Sequence, residues 1–116
     1  MARVLIIEQS AAVRELIATI VAGLGHELLP LDPETATEVP GADLVLVAPE
    51  LSRARRLVAL FRARSPGVPV IAVTSGPEEL TSLTDLGPAL PLAKPFALDD
   101  LRKAIAHALG GTGSLV

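Results

Sequence analysis

The chain of 116 residues has the length of a single domain, half of it is hydrophobic, and its net charge of −3 gives no general attraction to DNA or to anionic membranes. It has no cysteine, which excludes disulfides, thiolate metal sites and cysteine nucleophiles, and its two histidines are too far apart in the sequence to indicate a zinc site. Its longest weakly polar stretch is far shorter than the roughly 20 residues of a membrane span, and no signal peptide is apparent, so we expect a cytoplasmic protein.

The first elements are a buried strand and an amphipathic helix. Residues 4–7 form an apolar run typical of a strand that is covered on both faces. Ser10 is placed to cap the following helix, and Gly25 is placed to end it. The spacing of apolar residues predicts one buried stripe on this helix, made of Val13, Leu16, Ile17, Ile20 and Leu24.

The next segment predicts two strands with little helix between them. Residues 27–31 form a weaker strand, which Pro30 restricts to a sheet edge. Residues 34–39 have room for at most a turn or two of helix, because prolines and a glycine surround them. Residues 43–48 are again an apolar strand.

The second half of the chain alternates helices with strands. We predict helices at residues 52–65, 78–86 and 98–109. We predict strands at residues 68–73 and 89–93, the second interrupted by a proline. The expected buried faces of the first and last of these helices are Ala54, Leu57, Val58 and Phe61, and Leu98, Leu101, Ile105, Ala108 and Leu109.

Five strands that alternate with helices predict a doubly wound α/β fold with a five-stranded parallel sheet, because parallel strands need crossover connections. In such sheets the functional crevice lies beyond the carboxyl ends of the strands. The residues expected to line this crevice are therefore 8–10, 48–50, 74–76 and 94–96. We take residues 1–111 as one domain and residues 112–116 as a flexible tail or the start of a linker.

Four motifs at the strands carry a resemblance to a known family. They are residues 3–10 (RVLIIEQS), 43–48 (DLVLVA), 70–75 (VIAVTS) and 92–96 (LAKPF). In this order and spacing they resemble the receiver domain of bacterial response regulators, the CheY-like family, over about residues 2–109. The most specific piece is Lys94-Pro95-Phe96, with Gly87 seven residues before the lysine. The resemblance implies a flavodoxin/CheY-like fold, here with a shortened second helix.

The residues that carry out receiver chemistry are missing. In the family, an aspartate at the end of the third strand accepts a phosphoryl group from a kinase histidine, and two acidic residues after the first strand help it to hold Mg²⁺. Ala48 stands in the position of that aspartate, and its methyl group cannot carry phosphate. The acidic pair is reduced to Glu8 and Gln9, a poor site for Mg²⁺. Pro91 replaces the aromatic residue that changes rotamer on activation, and it has no rotamer to switch.

Two supporting residues of the phosphorylation pocket remain. Thr74 matches the hydroxyl that follows the phosphoryl group, and Lys94 matches the lysine that pairs with it. Structural roles account for both, since Thr74 is placed to cap the next turn and Lys94 to bond Glu8 or a strand-end carbonyl. We expect a Glu8–Lys94 ion pair that holds the pocket in one conformation. Glu50 belongs to the following loop and is not expected to replace the missing acceptor.

Two surfaces outside the pocket are candidates for partner binding. The helix at 52–65 carries Arg53, Arg56 and Arg64 on one side of its apolar stripe, and Arg55 and Arg62 on the other. A solvated amphipathic helix explains these arginines, and a docking patch for an acidic partner or an anionic nucleotide is the alternative. In receivers, the fourth helix, fifth strand and fifth helix form the usual partner and dimer surface, which here comprises Glu78, Glu79, Pro91, Lys103, Ala106 and His107.

These observations indicate a receiver-like signalling domain of a two-component or phosphorelay system that is not phosphorylated. We expect no enzymatic activity, no metal and no cofactor, and action by binding a signalling protein or a second copy of the chain. DNA and membranes are not expected partners. The alternative is a sensor of a small ligand or anion that uses the strand-end pocket, and Ala48 disfavours a phosphoaccepting receiver.

Overall fold

The computed structural model describes residues 2–29, 31–32, 35–48, 53–75 and 89–110. Its strands there are β1 (Arg3–Ile7), β2 (Glu27–Leu29), β3 (Leu44–Val47), β4 (Val70–Thr74) and β5 (Leu90–Ala93). The helices in the same residues are α1 (Ala11–Gly23), α2 (Ala54–Arg64) and α3 (Leu98–Gly110). The predicted helix at residues 78–86 lies outside the described residues, as does the tail at 112–116. No helix within the described ranges is long and apolar enough to cross a membrane.

The strands form one parallel sheet in the order β2-β1-β3-β4-β5. The chain therefore runs first to one edge and then across the sheet to the other, the doubly wound arrangement that the sequence predicted. β2 lies at one edge, as the proline after it led us to expect, and the proline-containing β5 lies at the other. The predicted fold class is confirmed.

Both faces of the sheet are covered, which explains why the central strands are apolar throughout. Successive residues of a strand point to opposite faces, so each strand contributes to two cores. The core beneath α1 and α3 contains Val4, Ile6, Leu44, Leu46, Ile71 and Val73 from the sheet. The core beneath α2 contains Leu5, Ile7, Val45, Val47, Val70 and Ala72.

Helix α1 begins after Ser10, as predicted, and ends at Gly23, two residues before the predicted Gly25. The Ser10 hydroxyl accepts a hydrogen bond from the Val13 N–H at 3.3 Å, which is the expected N-cap. After the helix, Gly25 has a φ of +85°, a conformation that glycine adopts without strain. The predicted stripe was wrong at Leu16 and Leu24, which are 40% and 38% exposed. Leu16 lies at the margin of the face that meets the sheet, and Leu24 already lies beyond the last helical turn.

Helices α2 and α3 bury most of the predicted residues. Ala54, Leu57, Val58 and Phe61 of α2 are all buried, as predicted. In α3, Leu101 and Ile105 are buried, and the two apolar residues near the helix end are partly buried against the same core. The prediction was wrong for Leu98, the first residue of α3, which is 42% exposed, since the buried residues of this helix begin one turn later at Leu101.

The connection between β2 and β3 contains no helix in the residues described. The Asp32 carbonyl accepts hydrogen bonds from the N–H groups of Thr35 and Ala36, which makes a single turn. Val39 is buried in the core beneath α2, and residues 37 and 38 just before it form a bend rather than a helix. The expected turn or two of helix is therefore reduced to that one turn.

Two arginines of the α2 region hold this connection. Arg53 donates a hydrogen bond to the Ala36 carbonyl, and Arg64 donates one to the Val39 carbonyl at 3.1 Å. A segment without helical hydrogen bonds must satisfy its carbonyls otherwise, and these guanidinium groups do so. On the other side of α2, Arg62 donates to the Val68 carbonyl at 3.1 Å, and burial lowers the pKa of its guanidinium.

We expect Arg53→Ala and Arg64→Ala each to lower the free energy of unfolding by about 1 kcal/mol, because each removes a charged donor from a loop carbonyl. Arg56→Ala is the matched control, since Arg56 is exposed on the same helix and should change stability by less than about 0.5 kcal/mol. Urea unfolding of the three variants measures the difference. Equal effects at all three positions would show that the two carbonyl contacts contribute nothing.

Candidate functional site

The sheet brings four of the predicted pocket residues to the end at which its strands terminate. They are Glu8, Ala48, Thr74 and Lys94. Ile7 of β1 is the register partner of Val47 of β3, so the residues that follow them, Glu8 and Ala48, end adjacent strands. Thr74, the last residue of β4, is paired with Ala93 of β5, which places Lys94 next to it. The carboxyl ends of β1, β3, β4 and β5 thus lie side by side at one end of the sheet, where the sequence predicted the crevice.

Glu8 is a buried carboxylate with defined partners for both oxygens. Its side chain is 3% exposed, and one oxygen, Oε2, accepts a hydrogen bond from the Ser10 N–H at 2.9 Å. The other, Oε1, lies 3.4 Å from the Lys94 ammonium. Its backbone carbonyl accepts a hydrogen bond from Arg14 at 3.1 Å.

Lys94 joins the end of β5 to the end of β1. Its N–H donates to the Thr74 carbonyl at 2.7 Å, and its ammonium reaches Glu8 across the crevice. The lysine side chain is 21% exposed, so it lies in the crevice rather than in solvent. The predicted Glu8–Lys94 ion pair is confirmed. This pair links residues 86 positions apart in the chain.

The place of the phosphoacceptor is apolar. Ala48 is buried, and its N–H donates to the Ile7 carbonyl at 2.9 Å, which continues the pairing of β3 with β1. Its methyl group offers neither a nucleophile nor a metal ligand. Any acceptor role for Glu50 lies outside the described residues.

The residues present do not fit the Mg²⁺ ion that the receiver fold implies. Magnesium in proteins takes near-octahedral oxygen ligands, usually with one or two carboxylates. Among the described strand ends, Glu8 is the one carboxylate at this end of the sheet, and both of its oxygens already have partners. Gln9 is exposed and supplies at most an amide oxygen. The donor set at this site therefore does not suit Mg²⁺.

Thr74 is buried at the end of β4. Its backbone carbonyl accepts the hydrogen bond of the Lys94 N–H, so the two remaining pocket residues follow adjacent strands, β4 and β5. The turn that Thr74 was predicted to cap begins beyond Ser75, outside the described residues.

A hollow of about 500 Å³ lies next to the pocket, between α1 and the β5–α3 loop. Its lining comprises Val13, Leu16, Ser75, Lys94, Pro95 and Phe96. Sequence reasoning missed this hollow because the apolar spacing of α1 assigned Leu16 to the core. In the sequence, only the position of Leu16 at the margin of the apolar stripe indicated that this side chain is exposed.

The predicted partner surface is described only in part. Pro91, Lys103, Ala106 and His107 are all exposed, as a binding surface requires. Lys103 also forms an ion pair with Asp99, one turn earlier in α3, at 3.2 Å. The two glutamates of this surface, Glu78 and Glu79, lie outside the described residues, so this surface remains a prediction.

The three arginines of the predicted basic patch have different roles. Arg53 and Arg64 donate to loop carbonyls, as described above, which supports the structural interpretation for these two. Arg56 is exposed, as is Arg55 on the other side of the stripe.

Comparisons with known proteins identify the fold. No protein-family model matches the chain, and no curated protein matches it. The chain is similar in structure to a CheY-like response regulator receiver domain protein from Methanospirillum hungatei, with a TM-score of 0.82, 20% identity, and coverage of 100% of this chain and 99% of that one. It is also similar to the chemotaxis protein CheY4 of Vibrio cholerae, with a TM-score of 0.76, 20% identity, and coverage of 94% and 99%.

A third similar structure is that of NtrX from Brucella abortus, with a TM-score of 0.78 and 21% identity over 98% of this chain. The chain spans only 28% of the length of that protein. At these identities, the comparisons show that the chain has the receiver fold. The neighbours named as receivers are signalling domains.

Proposed function

We propose that this chain is a receiver-like signalling domain that does not accept a phosphoryl group and acts by binding another protein. The receiver fold supports a role in two-component or phosphorelay signalling. The proposal that the domain accepts no phosphoryl group and acts by binding a protein rests on the residues at the carboxyl ends of the strands rather than on the fold.

The observation that carries the proposal is the buried Ala48 at the end of β3. Phosphoryl transfer to a receiver needs a carboxylate oxygen at this point and a cation to neutralise the developing charge. Here the nucleophile is replaced by a methyl group, and the single remaining carboxylate, Glu8, is paired with Lys94. Two separate requirements of the reaction are therefore missing.

The remaining pocket residues support a fixed conformation. The Glu8–Lys94 pair connects β1, the start of α1 and the β5–α3 loop, which are the elements that surround the crevice. Pro91 has a fixed φ and no aromatic ring to reorient. A domain built in this way has a surface that does not depend on phosphorylation, and we propose that its partner recognises this constant surface.

The alternative, an anion sensor at the same end of the sheet, has less support. Lys94 is the cation that would bind the anion, and its ammonium is 3.4 Å from the Glu8 carboxylate. An incoming anion would meet this carboxylate at close range, which disfavours binding. The neighbouring hollow, with mostly apolar lining residues, is the feature that favours a small apolar ligand instead.

The test is incubation of the domain with acetyl phosphate and Mg²⁺, followed by intact-mass spectrometry. We expect an unchanged mass, because Ala48 offers no nucleophile. A receiver domain that has the aspartate, treated in the same way, is the positive control. A mass increase of one phosphoryl group on an acidic residue of this chain would contradict the proposal.

A further inference from the structure

The positive charge of the chain is concentrated on α2. Residues 53–64 contain five arginines and no acidic residue. The rest of the chain has five basic and thirteen acidic residues, a net charge of −8. α2 is therefore a basic helix on an acidic domain, and such segregation attracts an acidic partner to one place on the surface.

A groove lies between this helix and the β2–β3 connection. It has a volume of about 340 Å³, and its lining comprises Thr37, Glu38, Val39, Leu60, Ala63 and Arg64. Val39 is buried, while Leu60 is half-buried and Ala63 exposed, so the groove presents an apolar floor to solvent.

Arginines stand along the same side of α2 as the groove. Arg64 lines the groove and is held by its hydrogen bond to the Val39 carbonyl, and Arg53 is held by the carbonyl of Ala36, the residue before Thr37 of the groove. Arg56 lies one turn before Leu60 and is exposed. Side chains that are already held lose less conformational entropy on binding, so such arginines are suited to recognise carboxylates.

We propose that this groove binds an acidic amphipathic segment of a partner protein. The apolar side chains of that segment pack on Leu60 and Ala63, and its carboxylates lie near Arg56 and Arg64. This surface presupposes the proposed function, in which the domain acts by binding another protein. The apolar floor favours a protein segment over a nucleic acid, whose phosphates would gain nothing from it. The acidic remainder of the domain also repels a long polyanion. Glu38 is the acidic residue that lines the groove among the described residues, and it opposes binding of carboxylates.

The test uses a fluorescent helical peptide of about 16 residues, with leucines on one face and glutamates elsewhere, titrated with the full chain and followed by anisotropy. The variants are Arg56→Glu, on the groove side, and Arg55→Glu, an equal charge change on the opposite side of the same helix. We expect Arg56→Glu to weaken binding about tenfold and Arg55→Glu less than about threefold. Glu38→Gln should strengthen binding. Unfolding curves of the variants confirm that each is folded.

The proposal is overturned if the acidic peptide does not bind, or if both arginine variants weaken binding equally, which would indicate diffuse attraction. It is also overturned if a single-stranded oligouridylate binds with the same dependence on Arg56 and competes with the peptide, which would indicate a nucleic-acid surface. The proposed function is tested separately by acetyl phosphate. Phosphorylation of the unaltered chain would refute that function whatever the peptide does, and a failure of the peptide to bind refutes only this surface.

Discussion

The double variant Gln9→Asp, Ala48→Asp is expected to take up a phosphoryl group from acetyl phosphate in the presence of Mg²⁺, whereas Ala48→Asp alone is expected to remain unlabelled. The double variant restores the three carboxylates that the resemblance to receivers implies. The single variant supplies a nucleophile but leaves the cation with fewer carboxylate ligands. Lys94 is already in the crevice and is placed to pair with a carboxylate at position 48.

Ala48→Asp should also be less stable than the unaltered chain, by about 2 kcal/mol at neutral pH, because it buries a second carboxylate near Glu8. In the double variant, Mg²⁺ should recover part of this loss, since an ion that binds only the folded state stabilises it. The same addition should not stabilise the unaltered chain.

Intact-mass spectrometry measures labelling, and thermal unfolding with and without Mg²⁺ measures stability. Gln9→Asp alone is the control, because it restores a ligand without a nucleophile and should remain unlabelled. Rapid labelling of Ala48→Asp alone would show that Gln9 does not limit the reaction. Absence of labelling in the double variant would show that more than these two positions was lost.

Glu8→Ala is expected to lower the free energy of unfolding by about 3 kcal/mol. The substitution removes the carboxylate that faces the Lys94 ammonium and the acceptor of the Ser10 N–H. Both groups lie in the crevice, where loss of a partner is not fully compensated by water. Lys94→Ala should have an effect of similar size, about 3 kcal/mol, because it leaves the buried Glu8 carboxylate without its ammonium partner.

The chain contains a matched control for this ion pair. Lys103 and Asp99 of α3 are 3.2 Å apart, but their side chains are 77% and 67% exposed. Lys103→Ala should therefore change stability by less than about 0.5 kcal/mol, although it also breaks an ion pair. The same substitution at two lysines thus separates the effect of burial from the effect of pairing.

A double-mutant cycle on Glu8 and Lys94, measured by urea unfolding, tests the pair directly. We expect a coupling energy of more than about 1 kcal/mol, against almost none for Asp99 and Lys103. A coupling near zero between Glu8 and Lys94 would show that the carboxylate stabilises the domain through Ser10 alone, and that the pair does not hold the crevice together.

Within the described residues, the sequence alone determined the strands and helices and the end of the sheet where the site lies. The apolar runs of β3 and β4 required burial on both faces, which only a covered parallel sheet provides. Ser10 indicated where α1 begins. The Glu8–Lys94 pair was also predictable, because parallel strands bring both residues to the same end of the sheet and a crevice lysine without the family's aspartate needs another carboxylate.

Tertiary structure decided which apolar residues are covered and what the arginines contact. Helical spacing assigned Leu16 and Leu98 to the core, but burial depends on how far the sheet extends beneath each helix, and a helical repeat contains no information on that. Arg53 and Arg64 reach carbonyls 17 and 25 residues earlier in the chain, in a segment whose path is set by the packing of Val39. Contacts of this kind arise only when distant segments are packed together, because the local sequence of α2 is equally compatible with a fully solvated basic face.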